Sequence, residues 1–243
     1  MKELLIIIPA YNEEKSIERV VNHVINDYPE YDYVVVNDGS KDHTAKICRK
    51  NGYNLIDLPV NLGLAGAFQT GLKYAYRQGY EYAIQYDADG QHKAEYIEKM
   101  LTEMKKGYDI VIGSRFVDDK KPNSMRMLGS RIISTAIMLT THKRVKDPTS
   151  GMRMFNRAML KEFALNLNYG PEPDTISYLL REGVKLSEVQ VEMDERLEGE
   201  SYLNMVRSIK YMIHMTVSIL VIQNFRKRDS RFVKDEKNVE VLK

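Results

Sequence analysis

The sequence contains a single cysteine, Cys48, so the chain cannot form an intrachain disulfide and fits a reducing compartment. Its formal net charge of +2 is too small to indicate nucleic acid as a partner. No G-x-G-x-x-G motif follows the first apolar run, which argues against a module that binds NAD(P). Internal repeats and low-complexity tracts are also lacking. These absences favour an ordinary globular protein.

Long hydrophobic runs are lacking too. The first apolar run, residues 4–8, is too short for the core of a signal peptide and predicts a buried first strand in a cytoplasmic protein. The stretch 211–225 falls below the roughly 18–20 apolar residues that span a bilayer. Two interpretations of 211–225 stay open. It is either a core helix that covers the sheet, or an interfacial or partner-binding helix whose following basic run, 226–228, meets anionic headgroups.

What the chain does have is 243 residues with 43% hydrophobic and 29% charged residues, enough for one α/β domain and a tail. Short apolar runs alternate with segments of helical periodicity. Because the apolar runs lack a polar face, they predict a parallel sheet covered by helices on both sides. The predicted strands are 4–9, 33–38, 54–59, 82–87 and 109–115, and the predicted helices are 13–27, 43–52, 65–78 and 94–106.

The pattern changes after residue 116, where residues 126–146 combine an apolar middle with several basic residues. We therefore predict a catalytic domain over 1–204, an apolar and basic helical segment over 205–228, and a charged, flexible tail over 229–243. The middle segment is expected to be membrane-interfacial or to dock onto a partner.

Three polar clusters, YNEE, DGSKD and DADGQ, follow predicted strands, and ligands of parallel sheets bind beyond the carboxyl ends of the strands. Asp87 and Asp89 point the same way if their segment is extended, and two close carboxylates repel each other unless a cation lies between them. Mg²⁺ or Mn²⁺ suits such oxygen ligands, and Gln91 offers a further carbonyl oxygen. The alternative is a helix cap within a solvated turn. The position after an apolar strand favours the metal site.

The other two clusters suit a nucleotide. Asp38 could accept hydrogen bonds from a base or a ribose, while Tyr11 could flank the base and Glu13 could bind a sugar hydroxyl. The structural alternatives are helix caps at Asn12 and at Asp42 or Ser40.

In this order and spacing, IPAYNEE, VVNDGSKDHT, NLGLAGAFQTG, YDADGQH, GSR and DPTSGMRMF resemble glycosyltransferase family 2 over residues 3–203. The likeness is greatest to the polyprenyl-phosphate group, which includes dolichyl-phosphate mannose synthase and undecaprenyl-phosphate sugar transferases. The segment 193–204 is similar to that group's R-x-x-G-x-S motif. The resemblance implies a GT-A (Rossmann-like) fold, a nucleotide-sugar donor, an inverting reaction that needs Mg²⁺ or Mn²⁺, and a polyprenyl-phosphate acceptor. We favour UDP over GDP in the donor.

The resemblance also implies roles for individual residues. Asp87, Asp89 and Arg115 would be catalytic, and Asp87, Asp89 and Gln91 would hold the metal. One departure is Tyr202, which stands where relatives often have a lysine after the motif serine. The residues implied to bind the nucleotide sugar are Pro9, Tyr11, Glu13, Val36, Asp38, Ala88, Arg115 and Arg196.

The acceptor side is predicted from its chemistry. A phosphate acceptor is already mostly ionised at neutral pH, so it needs cations to hold it more than a base to activate it. A saccharide hydroxyl would instead require a general base, and the resemblance implies that Glu172 or Asp174 falls near the place where a hydroxyl-transferring relative has its base. His92 is expected to lie behind the metal ligands or to face solvent. The candidates for the acceptor phosphate, with ordinary surface charge as the alternative for the cations, are Arg126, Arg131, Lys143, Asp147, Ser150 and Arg153.

The sequence also bears on the enzyme class, the cellular location and the oligomeric state. A phosphatase is disfavoured because its D-x-D loop follows the first strand, whereas this one follows the fourth. The expected location is peripheral, on the inner face of the cell membrane, with or without docking onto a small membrane protein. The oligomeric state, a homo-oligomer included, and the identity of the sugar are left open.

Overall fold

The computed structural model describes residues 2–166, 170, 172–193 and 205–225, apart from the side chains of residues 125, 126, 205–208 and 224. Within this part of the chain, strands form one seven-stranded sheet in the order β3-β2-β1-β4-β6-β5-β7. The mostly parallel α/β architecture predicted from the sequence is confirmed. The strands are β1 (Lys2–Ala10), β2 (Asp32–Asn37), β3 (Leu55–Asp57), β4 (Tyr80–Gln85), β5 (Ile110–Ser114), β6 (Arg153–Asn156) and β7 (Leu186–Gln190).

Helices cover both faces of the sheet, which explains why the strands have no polar face. Leu5 and Ile7 of β1 point into a core under α3, α5, α6, α7 and α8, whereas Ile6 and Ile8 point into a core under α1, α2 and α4. The helices are α1 (Ile17–Asp27), α2 (Thr44–Lys50), α3 (Gly63–Gln78), α4 (Tyr96–Met104), α5 (Met125–Thr141), α6 (Arg157–Leu165), α7 (Pro173–Arg181) and α8 (Met205–Leu220), followed by a 3₁₀ turn, Ile222–Phe225.

The strand β6 was not predicted from the sequence, and neither were α6, α7 and β7. Strand β6 runs antiparallel between β4 and β5, so that Phe155 lies opposite both Ala83 and Ile110. The other pairs, β1–β2, β1–β4, β2–β3 and β5–β7, are parallel. Because β6 is antiparallel, its first residue lies at the edge where β4 and β5 end. The preceding segment, DPTSG, is thereby brought to the predicted ligand-binding edge.

Helix α8 packs against α5 and α7 with one face and leaves apolar side chains exposed on another. Met215 and Ile219 are buried in the core, while Ile213 and Val217 are 60% and 45% exposed. At Gly129 of α5 an added Cβ would lie 1.4 Å from the sulfur of Met212, so the two helices approach closely there. Residues 211–225 thus cover the core, as one of the two interpretations predicted, and also expose apolar side chains; contact with a membrane or a partner stays a prediction.

Among the described residues, no helix is both long and apolar enough to cross a bilayer. The basic run 226–228 and the tail 229–243 lie outside the described residues. The proposed division of the chain after residue 204 stays a prediction.

Candidate active site

The three polar clusters do lie together at the carboxyl edge of the sheet. β1, β2 and β4 are neighbours and parallel, and they end at Ala10, Asn37 and Gln85. The Asp38 amide donates to the carbonyl of Ala10 (2.8 Å), and the Tyr86 amide donates to that of Ile7 (2.9 Å). The prediction that the segments after these strands lie at one edge of the sheet is therefore confirmed at the level of backbone position.

The first two clusters hold each other in place. The Asn12 amide donates to the Ser40 hydroxyl (2.9 Å), and the Lys41 amide donates to the Asn12 side chain (2.8 Å). The Glu13 amide donates to the hydroxyl of Thr44 (2.8 Å), at the start of α2. Asn12 thus links two loops and does not cap α1. Tyr11 and Glu13 are half-buried on this joint structure, where a nucleotide could reach them.

Asp42 makes the capping contact at the start of α2 that was predicted for Asp42 or Ser40. Its carboxylate accepts the backbone N–H of Thr44 (2.9 Å) and also that of Glu14 (3.0 Å). It therefore satisfies a free N–H in the first turn of α2 while tying the helix to the first cluster.

Asp38 is buried and its carboxylate lies beneath the loop 59–62. Its Oδ1 accepts the backbone N–H of Leu62 (2.7 Å). Gly39 has a φ of +65°, and an added Cβ would lie 2.7 Å from the carbonyl carbon of Val60, so only glycine fits this close approach. Among the other predicted nucleoside contacts, Pro9 and Val36 are register partners on adjacent strands, and the Val36 side chain is fully buried in the core under α3.

The loop after β4 turns earlier than the sequence suggested. β4 ends at Gln85, residues 88 and 89 form a turn, and Gly90 has a φ of +77°. The expectation that Asp87 and Asp89 lie on one extended segment is therefore wrong, because the chain bends between them. Ala88, another predicted donor contact, is buried at this bend. Asp89 accepts the backbone N–H of Gln91 (3.0 Å) within the turn.

Asp87 is held from several sides. Gln85 donates its side-chain amide to Oδ1 (2.8 Å), and the imidazole of His92 accepts the Asp87 backbone N–H at Nδ1 (2.9 Å). His92 Nε2 lies 3.5 Å from Asp87 Oδ2. A Cβ on Gly151 would lie 2.8 Å from the same Oδ2, so the DPTSG segment packs directly on this carboxylate. His92 lies behind the loop, buried, and does not face solvent.

The donor set fits a divalent ion that takes part of its coordination from a ligand. Among the described residues, no three His, Cys, Asp or Glu side chains come together as a metal cluster. Two carboxylates and an amide oxygen, from Asp87, Asp89 and Gln91, match the chemistry of Mg²⁺, which binds through one or two carboxylates and completes its shell with phosphate and water. The residues present therefore suit a metal–diphosphate complex better than an all-protein metal site.

Arg115 and Asp147, predicted for opposite substrates, are partners. Arg115 donates from Nε to Asp147 Oδ2 (2.7 Å) and from Nη2 to Oδ1 (2.9 Å). Asp147 is fully buried and also accepts from the Thr149 hydroxyl (3.2 Å). Ser150, another predicted acceptor contact, is buried and donates its hydroxyl to the carbonyl of Gly113 (2.5 Å). Asp147 and Ser150, two of the predicted acceptor contacts, therefore belong to an internal hydrogen-bond network.

The predicted acceptor cations fall into different environments. Arg131 donates to the carbonyl of Lys121 (2.6 Å) and to the side chain of Asn123 (3.2 Å), so it braces the loop before α5. Lys143 is exposed after the end of α5. Arg153 is buried and donates to the carbonyls of Ser150 and Pro148 (2.8 Å each). The side chain of Arg126 and all of Arg196 and Tyr202 lie outside the described residues.

Burial lowers the pKa of the Arg153 guanidinium, and the nearby carboxylates of Glu172, Asp147 and Asp87 oppose that shift. Arg153 is thus an electrostatic neighbour of Asp147, on the predicted acceptor side, and of Asp87, in the segment 86–92 that carries the predicted metal ligands and that we call the metal loop.

Lys121 was missed by the sequence reasoning. Its ammonium donates to the hydroxyls of Ser130 (2.8 Å) and Ser134 (3.2 Å) and lies 5.5 Å from the ring centre of Phe116. Burial lowers the pKa of Lys121, and the charge of Asp147 only partly offsets this effect. A cation solvated mainly by neutral hydroxyls is suited to receive an anion. Its only sequence signal was its place in the loop after GSR.

Glu172 and Asp174, the alternative general bases, both accept hydrogen bonds from the C-terminal segment. The phenol of Tyr211 donates to Glu172 Oε2 (2.5 Å), and burial, reinforced by the charge of Glu172, raises the pKa of Tyr211. Asp174 Oδ2 accepts from the Ser218 hydroxyl (2.7 Å) and from the Gln223 amide (3.4 Å). These contacts tie the start of α7 to α8.

Comparisons with known proteins agree with the fold. The family model described as Glycosyl transferase family 2 matches residues 5–164. The chain is 36% identical over 182 residues to the UDP-N-acetylglucosamine–dolichyl-phosphate N-acetylglucosaminyltransferase of Methanococcus voltae, covering 66% of this chain and 72% of that protein. It is 29% identical over 215 residues to the undecaprenyl-phosphate mannosyltransferase of Micrococcus luteus, covering 83% and 87%.

Among solved structures, glucosyl-3-phosphoglycerate synthase from Mycobacterium tuberculosis in complex with Mn²⁺, UDP-glucose and phosphoglyceric acid has a TM-score of 0.68 at 14% identity. The match covers 90% of this chain and 80% of that one. At this identity the likeness shows a shared fold, and the GT-A architecture expected from the sequence is confirmed.

Proposed function

Because the chain belongs to glycosyltransferase family 2, we propose that it transfers a sugar from a nucleotide sugar to the phosphate of a polyprenyl phosphate, with inversion at the anomeric carbon. One observation carries the choice of acceptor. The acceptor side contains cations close to Asp147, namely Arg115, Lys121 and Arg153, whereas the two candidate bases accept hydrogen bonds from α8. Relatives that act on dolichyl and undecaprenyl phosphates support the same choice.

For the donor, the environment of Asp38 supports UDP. Its Oδ1 already accepts the Leu62 N–H, which leaves Oδ2 for the base. Uracil presents a single N–H between two carbonyls, whereas guanine presents an N–H beside an amino group and suits two carboxylate oxygens. Tyr11 would flank the base and Glu13 would bind a ribose hydroxyl.

Asp87, Asp89 and Gln91 would hold Mg²⁺ or Mn²⁺, which when bound neutralises the negative charge that builds up on the departing diphosphate. Asp87 is already oriented by Gln85 and His92, so the protein does not have to reorganise this carboxylate when the donor binds. Arg196, outside the described residues, is proposed as a further contact to the donor phosphates.

In the reaction, an oxygen of the acceptor phosphate attacks the anomeric carbon on the face opposite the donor diphosphate. The new carbon–oxygen bond forms as the bond to the diphosphate breaks, and the nucleoside diphosphate leaves with the electron pair. Because the acceptor phosphate is already ionised at neutral pH, no side chain has to remove a proton from it. Lys121 and Arg153 would instead hold the phosphate and offset its repulsion from the donor.

The acceptor's lipid tail requires a route from the membrane. Exposed apolar side chains of α5 and α8 form what we call the α5–α8 surface, defined by Leu128, Ile132, Leu139, Ile209, Ile213 and Val217. The exposed cations Lys143 and Lys210 lie at the end of α5 and on α8. We propose that this surface lies on the anionic inner face of the cell membrane, which supplies the acceptor. Attachment through a small membrane protein is the alternative to direct lipid contact.

A transfer assay tests the proposal. The full chain is incubated with Mg²⁺ or Mn²⁺, labelled UDP- and GDP-sugars and undecaprenyl phosphate in detergent, and label that enters the organic phase is counted. We expect transfer from a UDP-sugar that is lost in Asp89→Ala and kept in the control Asp118→Ala, since Asp118 is an exposed carboxylate.

Label that appears only on a saccharide, and that disappears in Glu172→Gln, would overturn the phosphate acceptor in favour of the hydroxyl mechanism. Adding native membranes separates an inactive enzyme from one that lacks a membrane component.

A further inference from the structure

The imidazole of His92 contacts the metal loop through both of its nitrogens. Nδ1 lies 2.9 Å from the Asp87 backbone nitrogen, and Nε2 lies 3.5 Å from Asp87 Oδ2. The His92 carbonyl accepts the Tyr86 hydroxyl (2.7 Å), and the ring meets that of Tyr86 edge-on at 5.8 Å. The residue is therefore fixed by its own backbone as well as by its ring.

The contact at Nδ1 defines which ring nitrogen carries the proton. A backbone N–H is always a donor, so Nδ1 must accept with its lone pair and the ring proton must lie on Nε2. Nε2 lies beside the Asp87 carboxylate at 3.5 Å, a contact that is longer than the one at Nδ1. Neither nitrogen keeps a lone pair for a metal ion, although His92 follows Gln91, a proposed ligand, directly in sequence.

The space around the ring leaves Asp87 little freedom. An added Cβ on Gly151 would lie 2.8 Å from Asp87 Oδ2 and 3.4 Å from both the His92 Cε1 and the Gln85 amide nitrogen. Gln85 holds the other carboxylate oxygen at 2.8 Å. The backbone of Asp87 is thus held by His92, and its side chain is held between His92, Gln85 and Gly151.

We propose that His92 is the positioning residue of the metal loop, and that it acts as an Nε2–H tautomer that fixes Asp87 without binding the metal. This inference rests on the proposed function, because it assigns Asp87 to the metal–diphosphate complex. The shorter contact, from the Asp87 N–H to Nδ1, is the main one. It holds the backbone at the point where the chain leaves β4 and turns.

The two contacts can be separated by substitution. In His92→Asn the side-chain oxygen takes the place of Nδ1, while in His92→Gln the side-chain nitrogen takes the place of Nε2. His92→Leu removes both, and His142→Asn, at an exposed histidine after α5 whose positive φ asparagine also tolerates, is the control. Mn²⁺ affinity is measured in the presence of UDP by the electron paramagnetic resonance of free Mn²⁺, with thermal unfolding as the check on folding.

We expect His92→Leu and His92→Gln to bind Mn²⁺ about 10- to 100-fold more weakly, as is typical when a partner of a metal ligand is removed, and His92→Asn to stay within about threefold. Retention of affinity in His92→Leu would overturn the proposal, and so would rescue by Gln but not by Asn. If His92→Leu does not fold, the Asn and Gln variants still decide between the two contacts.

A second measurement separates this inference from the proposed function. A nitrogen-15 spectrum of the histidines in the ligand-free chain reports which ring nitrogen of His92 carries the proton. We expect Nε2–H, unchanged when Mg²⁺ and UDP are added, whereas a proton on Nδ1 or a metal-bound shift would overturn the proposal. A wild-type chain that binds neither Mn²⁺ nor UDP would instead contradict the proposed function, and with it the role of Asp87.

Discussion

Arg115 and Asp147 form a two-point ion pair, with Arg115 Nε and Nη2 at 2.7 and 2.9 Å from the two carboxylate oxygens. The Asp147 side chain is fully buried, and that of Arg115 is 22% exposed. The pair joins the end of β5 to the segment that precedes β6. It therefore couples the predicted donor contact to the acceptor side through one shared carboxylate.

Asp147→Asn should destabilise the fold, because Arg115 and Lys121 would lose their buried counter-charge. Removing one partner of a buried ion pair leaves the other charge uncompensated, and we expect the free energy of unfolding to fall by about 3 kcal/mol. Urea denaturation measures this change. Asp118→Asn, at an exposed position on the adjoining loop, is the control and should change stability little. Equal stability of the two variants would show that the pair is not a structural element.

Lys121→Met should weaken binding of the acceptor and spare the donor. Methionine keeps the length and apolar stem of the side chain but removes the charge that we propose for the acceptor phosphate. We expect the KM for polyprenyl phosphate to rise by about tenfold or more, as for loss of a charge-assisted hydrogen bond, with UDP affinity unchanged. The matched control is Lys120→Met, at the exposed neighbouring lysine. A similar KM in both variants would remove Lys121 from the acceptor site.

The same lysine predicts a pH dependence of stability. Burial lowers the pKa of Lys121 in the folded chain, so between that value and the ordinary lysine value of about 10.4 the unfolded chain binds more protons than the folded one. This residue alone therefore makes the ligand-free protein more stable as pH rises through that window. Below it, the charged lysine carries its full desolvation cost.

We expect Lys121→Met to be at least as stable as the wild type at neutral pH, and the difference to shrink as pH rises towards 10. Unfolding curves of both proteins across this pH range are the measurement. A difference that is independent of pH would exclude a perturbed lysine as its cause.

The α5–α8 surface should determine attachment to lipid. A charge at Ile213 or Val217 would have to enter the apolar part of the interface, so Ile213→Glu with Val217→Glu should reduce co-flotation with anionic vesicles. The control is Ile25→Glu, an exposed apolar position on α1, across the sheet from α8. If the double variant floats like the wild type, attachment does not depend on this surface.

Local sequence was sufficient to predict the first half of the sheet. Leu5 and Ile7 face one core and Ile6 and Ile8 the other, so a run without a polar face correctly indicated a strand covered on both sides. Strand β6 was not predicted because its four residues, RMFN, are too few to show an alternation of apolar and polar side chains. Its antiparallel position also depends on strands that are distant in the chain.

The site, too, was predicted only in part, because local sequence does not show how remote segments pair. Strand ends placed Asp38 and Asp87 at one edge, but pairing between remote segments decided what each charged group does. Arg115 and Asp147 are 32 residues apart, and nothing local to either indicates the other. Arg131 was a candidate for the acceptor phosphate but donates to a loop carbonyl, whereas Lys121, which no motif singled out, donates to two serine hydroxyls.

The insertion of β6 between β4 and β5 has a consequence for the order of folding. β1 to β4 are neighbours at one side of the sheet, and their pairs with one another are complete by residue 85, whereas the other edge of β4 pairs with β6. In the part of the chain that the structure describes, β5 pairs only with residues 153–156 and 186–190, so its pairing requires the closure of long loops. During synthesis the half of the sheet that contains β1 to β4 can form first, with the outer edge of β4 uncovered. The metal loop, the Arg115–Asp147 pair and the acceptor side are then assembled together when β6 enters.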